Sequence, residues 1–492
     1  RRVLFRSLAG TNASRIAKEF GIGGQSYTVC SEDTSGLSAL EIALRALQRG
    51  ELDLALAGGV ELTGDLRARL AETALGKQEI PGEGAVAIVL KRLADAQRDG
   101  DRIYAVIRGV GTSSAPLHPS PSSNPSDPAP ARALVEAGFA NATPIPSATA
   151  EVGHTGSVSG LVDLAKAALA LHTETLPASR AAAPQHWLRN RTEGPRRAAI
   201  TATSVDGNAI SVVLESPEAT PLASIGGEGR GEGAMVAESK QSLLTPAATK
   251  RGEALFTFAA ADAVGLLAQL DSLRQLATAA PSASLDTLAR RWFRQVLDRA
   301  SPLALSSATG KRQRTAALQD ATAPPKAPLH TLAFIAQDRA QFARLLDSAE
   351  KTIRSSKVEL LDHRDRDRLF FTPPTERLTG KVAFVFPGAG NHFADMGREL
   401  GLLFPDVLRA QDRENERLAS QMFAAQFWNA TAPVTDQRAS ICGQVALGAF
   451  VSDIARSLGL KPDAAIGYSL GESTSLFALR AWTARDEMLE IG

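Results

Sequence analysis

Ala464-Ala465-Ile466-Gly467-Tyr468-Ser469-Leu470-Gly471-Glu472 is the stretch from which the rest of the chain is read. A short apolar run breaks at Gly467, passes through Ser469 and Gly471, and enters a helix-compatible segment. This G-x-S-x-G pattern is the nucleophile elbow, in which a serine sits on a strained turn between a strand and a helix. The glycines on either side have a mechanical reason, because strand and helix approach too closely there to admit side chains. The spacing predicts a strand ending at Gly467 and a helix starting after Ser469, its free N–H groups aimed where an oxyanion would develop. Strand, turn and helix in that order belong to an α/β fold.

Outward from the elbow, 492 residues are too many for one core, so two or three domains are expected. A hydrophobic content of 44% with 22% charged residues is that of an ordinary globular protein. The net charge of +1 offers no electrostatic case for nucleic acid or an acidic membrane surface. With only Cys30 and Cys442, neither a disulfide framework nor a cysteine-based zinc site is expected, and a reducing cytoplasm is the default location. No apolar run has the length of a bilayer span. Arg1-Arg2-Val3-Leu4-Phe5-Arg6 has neither an initiator Met nor the apolar region of a signal peptide, and reads as a cut.

The first 220 or so residues alternate strand and helix patterns. Gln25 to Val29 is strand-like, and Leu37, Leu40, Ile42, Ala43, Leu44 and Leu47 recur at helical spacing as far as Gly50. Asp53 to Val60 reads as a buried strand stopped by the pair Gly58-Gly59, and Ala85 to Leu90 and Tyr104 to Val110 are further strand candidates.

Leu44-Arg45-Ala46-Leu47-Gln48-Arg49-Gly50-Glu51-Leu52-Asp53-Leu54-Ala55-Leu56-Ala57-Gly58-Gly59-Val60 resembles the segment after the nucleophile in β-ketoacyl synthases, the condensing enzymes of fatty acid and polyketide assembly. Gly82 to Leu93, Asp99 to Gly109 and Val152-Gly153-His154-Thr155-Gly156 fit the same family in the same order. The resemblance implies a thiolase-like fold whose opening portion is missing, and a chemistry that needs a Cys nucleophile and two His residues. Gapless alignment puts Asp33 at the Cys position, where a carboxylate cannot form a thioester; Cys30 lies three residues earlier. His154 fits the second family His. The first has no counterpart between Ala131 and His154, and His118 in its Pro- and Ser-rich loop is an unconvincing substitute. The Gly-Phe-Gly-Gly-like loop is replaced by Thr203-Ser204-Val205-Asp206-Gly207-Asn208. A degenerate, scaffolding synthase domain is expected, like the chain-length-factor subunits of this superfamily, with His154 a vestigial, hydrogen-bonded histidine.

In the middle, Ala223 to Gly233 is a flexible linker by composition and lacks the Gly-Lys-Ser/Thr ending of a phosphate loop. Ala254 to Phe258 and Leu329 to Ala336 are strand-like, each followed by a helical pattern, which weakly resembles the small α/β region between ketosynthase and acyltransferase in modular synthases. Asp362 to Arg368 reads as a solvated charged face, and His363 within it as no ligand.

Lys381-Val382-Ala383-Phe384-Val385-Phe386-Pro387-Gly388-Ala389-Gly390-Asn391-His392 closely resembles the opening strand and glycine turn of malonyl-CoA:carrier-protein acyltransferases. The elbow at Gly467 to Glu472 follows about 80 residues later, where that family usually has Gly-His-Ser-x-Gly-Glu. The resemblance implies that Ser469 forms an acyl-enzyme and releases it to a phosphopantetheine thiol. It implies too that the backbone N–H groups of Leu470 and Ala389 form the oxyanion hole, and that Gln444 matches an active-site Gln. Tyr468 stands where a His is common, and His392 is assigned to loop packing rather than to a base. The family's catalytic His and carboxylate-binding Arg are expected beyond Gly492.

The reading is therefore α/β throughout. An incomplete thiolase-like layered domain occupies 1–218, a flexible linker 219–252, a small α/β linker domain 253–377, and the first part of an α/β-hydrolase-like acyltransferase domain 378–492. The combination resembles the acyltransferase subunit of bacterial polyunsaturated fatty acid synthases or glycolipid-type polyketide synthases. It implies malonyl-CoA or another acyl-CoA, an acyl carrier protein with its phosphopantetheine, and an active ketosynthase as partners. It implies no directly bound cofactor, no metal, and no nucleic-acid or membrane partner.

Overall fold

The structure, a computed structural model, describes residues 10–62, 70, 74, 80–114, 128–179, 182–204, 206–217, 253–300, 329–355, 367–376, 380–428 and 434–491. His118, His363 and the glycine-rich linker lie outside the described residues. The chain is α/β and divides into two compact units, Arg1–Glu228 with Lys381–Gly492, and Gly229–Gly380.

The first part of the first unit is built around α1 (Ser35–Gln48), whose Leu37, Leu40 and Leu47 are buried, as the helical spacing requires. It leads into β1 (Leu54–Glu61), which pairs antiparallel with β2 (Gly84–Lys91). β1 is half-buried, with Ala55 and Ala57 inward and Leu54 and Leu56 exposed, and it runs through the glycine pair instead of stopping there. The pair marks close packing: a Cβ on Gly58 would lie 2.7 Å from the Val86 carbonyl, and one on Gly59 2.4 Å from Val158 Cγ1.

β3 (Val106–Ser114), α2 (Pro128–Ala137), β4 (Thr143–Pro144) and α3 (Ser159–Thr173) follow. After the short antiparallel pair β5 (Thr175–Leu176) and β6 (Gln185–His186), β7 (Arg197–Thr203) and β8 (Asn208–Glu215) form a hairpin. The four-stranded sheet has the order β3-β8-β7-β4, with β4 parallel to β7 and the other neighbours antiparallel. Leu37, Leu40, Leu161, Leu164, Ile200, Val212 and Leu214 from α1, α3, β7 and β8 fill one core. Residues 25–29 form no strand. An extended run becomes a strand only with a hydrogen-bonding neighbour, and none of the described strands pairs with it.

The second unit runs β9 (Ala254–Ala260), α4 (Ala263–Ala279), α5 (Leu285–Ala300), β10 (His330–Ala336), α6 (Arg339–Ser355) and β11 (Leu369–Thr372). Its sheet is antiparallel in the order β11-β10-β9. Asp262 caps α4 by accepting from the Gly265 N–H at 2.7 Å. Phe256, Phe258, Phe334, Phe342 and Trp292 stack into one aromatic core.

The first unit resumes with β12 (Ala383–Phe386), whose partner β13 (Ala464–Gly467) is parallel, Phe386 facing Gly467. Between them come several helices, the longest α7 (Gln444–Ser457), and β13 leads into α8 (Leu470–Ala478). Helix Pro405–Glu414 docks on the segment around β5 and β6. Glu174 receives Arg196 Nη1 at 3.0 Å and Arg409 Nε at 2.7 Å, and Arg189 pairs with Asp412 at 3.1 Å. Burial pushes the Glu174 carboxyl up, but Arg196 and Arg409 outweigh it and hold it below the ordinary range. His186, 3% exposed beside them, is driven down to about 3 by burial, with Arg196 and Arg409 adding to the effect against Glu174.

This sets an acid sensitivity. Below the ordinary histidine value near 6.5 the unfolded chain takes up a proton at residue 186 that the folded chain refuses. Stability should therefore fall as pH drops from about 6.5 towards 3, with a slope of up to ~1.4 kcal/mol per pH unit from this group. Urea unfolding of His186→Gln and the parent at pH 6 and pH 5 checks it: the variant's dependence should be the flatter, and equal slopes would remove His186 as the cause.

Candidate active site

At the end of β13 the chain turns through Ser469, which has φ 52° and ψ −116°, a conformation that costs a non-glycine residue about 1–3 kcal/mol. The turn is forced by packing. A Cβ on Gly467 would lie 2.3 Å from the Gly471 carbonyl carbon, and one on Gly471 2.1 Å from the Phe386 carbonyl oxygen. Strand β13, helix α8 and the end of β12 thus meet backbone to backbone, and Tyr468 N–H donates to Phe386 O at 3.1 Å. Ser469 is left exposed at the start of α8. Among the described residues no group accepts from the N–H of Leu470 or of Ala389.

The turn after β12 is held from behind. Gln444, 6% exposed at the start of α7, donates Nε2 to the Gly388 carbonyl at 2.6 Å. Asn391 Nδ2 donates to the same oxygen at 2.9 Å. His392 is tied elsewhere: its Nε2 lies 3.2 Å from Val434 O and 3.5 Å from Ser440 Oγ, and its ring packs on Phe427. Its contacts are thus with the loop at Val434 and with Ser440 and Phe427.

The far end of α8 is anchored by a polar network. Arg480, itself at φ 61°, forks onto both oxygens of Asp453 of α7 at 3.0 and 2.7 Å, and Gln411 donates to Asp453 at 2.7 Å. Arg485 bonds Gln421 and Gln411, and burial draws its guanidinium down to about 10. The Ser469 helix and the Gln444 helix are thereby clamped at the ends away from these residues.

In the first part of the chain, Asp33 and His154 are brought together, Oδ1 to Nε2, at 3.5 Å, each about 15% exposed. The loop carrying His154 is fixed by backbone bonds to Ile80 and Gly82 and by Glu61, which accepts from the N–H and Oγ of Ser157 at 3.1 and 2.8 Å. Cys30 is exposed. Neither Glu61 nor Asn391 stood out in the sequence: Glu61 holds Ser157, 96 residues away, and Asn391 lies within the quoted glycine turn but matches no motif position with a role. Among the described residues there is no cluster of His, Cys, Asp and Glu suited to a metal ion, and no helix long and apolar enough to cross a membrane.

Residues 2–78 match the family described as Beta-ketoacyl synthase, N-terminal domain. Over 96% of its length the chain is 28% identical to phthioceranic/hydroxyphthioceranic acid synthase of Mycobacterium tuberculosis, and over 97% it is 29% identical to that organism's mycocerosic acid synthase-like polyketide synthase. Over nearly its whole length the chain is thus similar to mycobacterial synthases, one of them named a polyketide synthase. It spans 23% of the length of those two relatives. A polyketide synthase–peptide synthetase hybrid of Aspergillus candidus is 30% identical over 42% of the chain and 11% of the hybrid. An oxazolomycin ketosynthase domain of Streptomyces albus superposes with a TM-score of 0.40 at 20% identity, over 74% of this chain and 65% of that one.

The elbow makes a direct test possible. Gly471→Ala puts a methyl on the Phe386 carbonyl and should cost about 1–3 kcal/mol of stability, with at least a tenfold fall in fluorophosphonate labelling of Ser469. Gly23→Ala, whose Cβ would meet nothing within 4 Å, is the control. Matching behaviour of the two variants in urea unfolding and labelling would show that the close approach is not required.

Proposed function

We propose that the chain is part of a multidomain polyketide or polyunsaturated fatty acid synthase and carries acyl transfer from coenzyme A to an acyl carrier protein through Ser469. The observation that supports it is the strained elbow, an exposed serine at the head of α8 with the unengaged N–H groups of Leu470 and Ala389 on its two flanking segments.

In the proposed reaction Ser469 Oγ attacks the thioester carbonyl carbon of malonyl-CoA or another acyl-CoA. The carbonyl oxygen takes the negative charge, met by the two N–H groups. Collapse breaks the C–S bond, leaves an ester on Ser469, and releases coenzyme A as its thiol with the serine proton. The phosphopantetheine thiol of the carrier protein then attacks the ester and returns a proton to Ser469. The synthase-like segment, with a carboxylate at Asp33 and not a thiol, is proposed to scaffold without condensing, in the cytoplasm.

Ser469→Ala in the full-length protein should abolish covalent labelling by radioactive malonyl-CoA, and undiminished labelling rejects the reading.

A second reading is favoured by the Asp33–His154 contact. A position that holds a nucleophile in a condensing enzyme here holds a carboxylate in contact with His154, as suits a non-catalytic docking partner of an active ketosynthase. Co-purification with a ketosynthase is the expected result, and a protein that labels with malonyl-CoA but never associates with one sinks this reading.

A further inference from the structure

We propose that Asn391 is a positioning residue: together with Gln444 it fixes the Gly388 carbonyl, and through the rigid Gly388–Ala389 peptide it aims the Ala389 N–H at the oxyanion formed on Ser469. The inference rests on the acyl-transfer reading above and adds to it a side chain that the reading does not use.

A trans peptide is planar, so its C=O and N–H point in opposite directions and one cannot be turned without the other. The oxygen of Gly388 accepts from Gln444 Nε2 at 2.6 Å and from Asn391 Nδ2 at 2.9 Å, which occupies both of its lone-pair directions. The two amides therefore stand behind the peptide and leave its N–H, that of Ala389, facing the other way. Two donors on one oxygen also stop the rocking that a single hydrogen bond permits.

What lies in front is the elbow. A Cβ on Gly388 would come within 2.8 Å of Tyr468 Cδ1 and 3.1 Å of the Tyr468 carbonyl, so this peptide abuts the residue before the nucleophile. The Cβ of a residue larger than glycine at 471 would strike Phe386 O at 2.1 Å and Pro387 O at 2.9 Å, which sets the same turn against the first residues of α8. The Ala389 and Leu470 N–H groups have no acceptor among the described residues, the state required of donors reserved for a charge that appears only in the transition state.

The two clamps differ in their surroundings. Gln444 is buried at the head of α7, where its loss would strip a buried carbonyl of its donor. Asn391 is exposed and follows Gly390, whose φ of 87° turns the chain back so that the Asn391 amide reaches residue 388. Its removal leaves the Gln444 bond in place, so the fold should survive while the peptide gains freedom. Asn391 is therefore the residue to vary.

In the full-length protein, single-turnover acylation of Ser469 by malonyl-CoA should slow about tenfold in Asn391→Ala, a fraction of the 10²- to 10³-fold typical for outright loss of an oxyanion donor. The substrate concentration for half-maximal rate should stay the same. Asn391→Asp, which keeps the shape but presents acceptors to a carbonyl, should be at least as slow. A trifluoromethyl ketone thioether analogue, which forms an oxyanion adduct on a serine, should bind both variants about tenfold more weakly while coenzyme A binds unchanged. If Ser469 of the parent is not acylated at all, the acyl-transfer reading falls and the inference with it. If the parent is acylated and Asn391→Ala matches its rate and its affinity for the ketone, the inference alone is overturned. A variant that loses coenzyme A binding and thermal stability in step with its rate likewise overturns it, by assigning Asn391 to loop structure only.

Discussion

The elbow depends on a space too small for a methyl group. Backbone atoms of Gly467, Gly471 and Phe386 occupy the positions that side chains would need, and that contact locks the end of β12 to the start of α8. Everything chemically interesting nearby inherits its placement from this contact. Ser469 is forced to positive φ, the Tyr468 N–H is directed to Phe386 O, and the turn at Gly388 is set beside Tyr468. A close-packed interior transmits such constraints because it has no slack to absorb them.

Two polar clusters hold the surroundings of this contact. The Arg480–Asp453 fork joins the end of α8 to α7, and Asp453 also receives Gln411 from helix Pro405–Glu414. That same helix presents Arg409 to Glu174 and Asp412 to Arg189. Two sets of charge-assisted bonds, joined through helix Pro405–Glu414, thus link α8 and α7 to the segment around β5 and β6. Such bonds contribute geometry more than stability, because desolvation of the ions offsets much of their attraction. Their effect here is to make α7 and α8 one body, so that Gln444 and Ser469 keep a fixed relation.

Periodicity carried the reading of the sequence a long way. The strands at Ala254, His330 and Ala383, the helix under Leu37 to Leu47, and the strand–turn–helix at Ser469 all lie where apolar spacing and glycines place them. Spacing failed where pairing or packing decides. Gln25 to Val29 has a strand's residues but no described neighbour to bond, and Gly58-Gly59 serve the approach of Val86 and Val158 where the pattern predicts the end of the strand. At the sites, Ser469 was legible because its constraint is local. The contact of Asp33 with His154, the hold of Glu61 on Ser157 and the pairing of Gln444 with Asn391 on one carbonyl each join residues far apart in sequence or in no known pattern. No local signal encodes them.

The two candidate sites differ in what holding them in shape requires. The synthase-like core is sustained by Leu37, Leu161 and Leu214, none of which depends on the chemistry of residue 33, so a carboxylate can stand there beside His154 without loss of the fold. Ser469 is another matter. A glycine would adopt φ 52° without the steric penalty that serine meets, and the surrounding backbone contacts would remain satisfied. Folding alone therefore favours glycine at 469, by an amount comparable to the strain of about 1–3 kcal/mol. The chain carries a hydroxyl there instead, exposed and set at the head of a helix. That excess cost is intelligible if the hydroxyl reacts, and it is the physical reason the elbow outweighs the Asp33–His154 pair as the catalytic candidate.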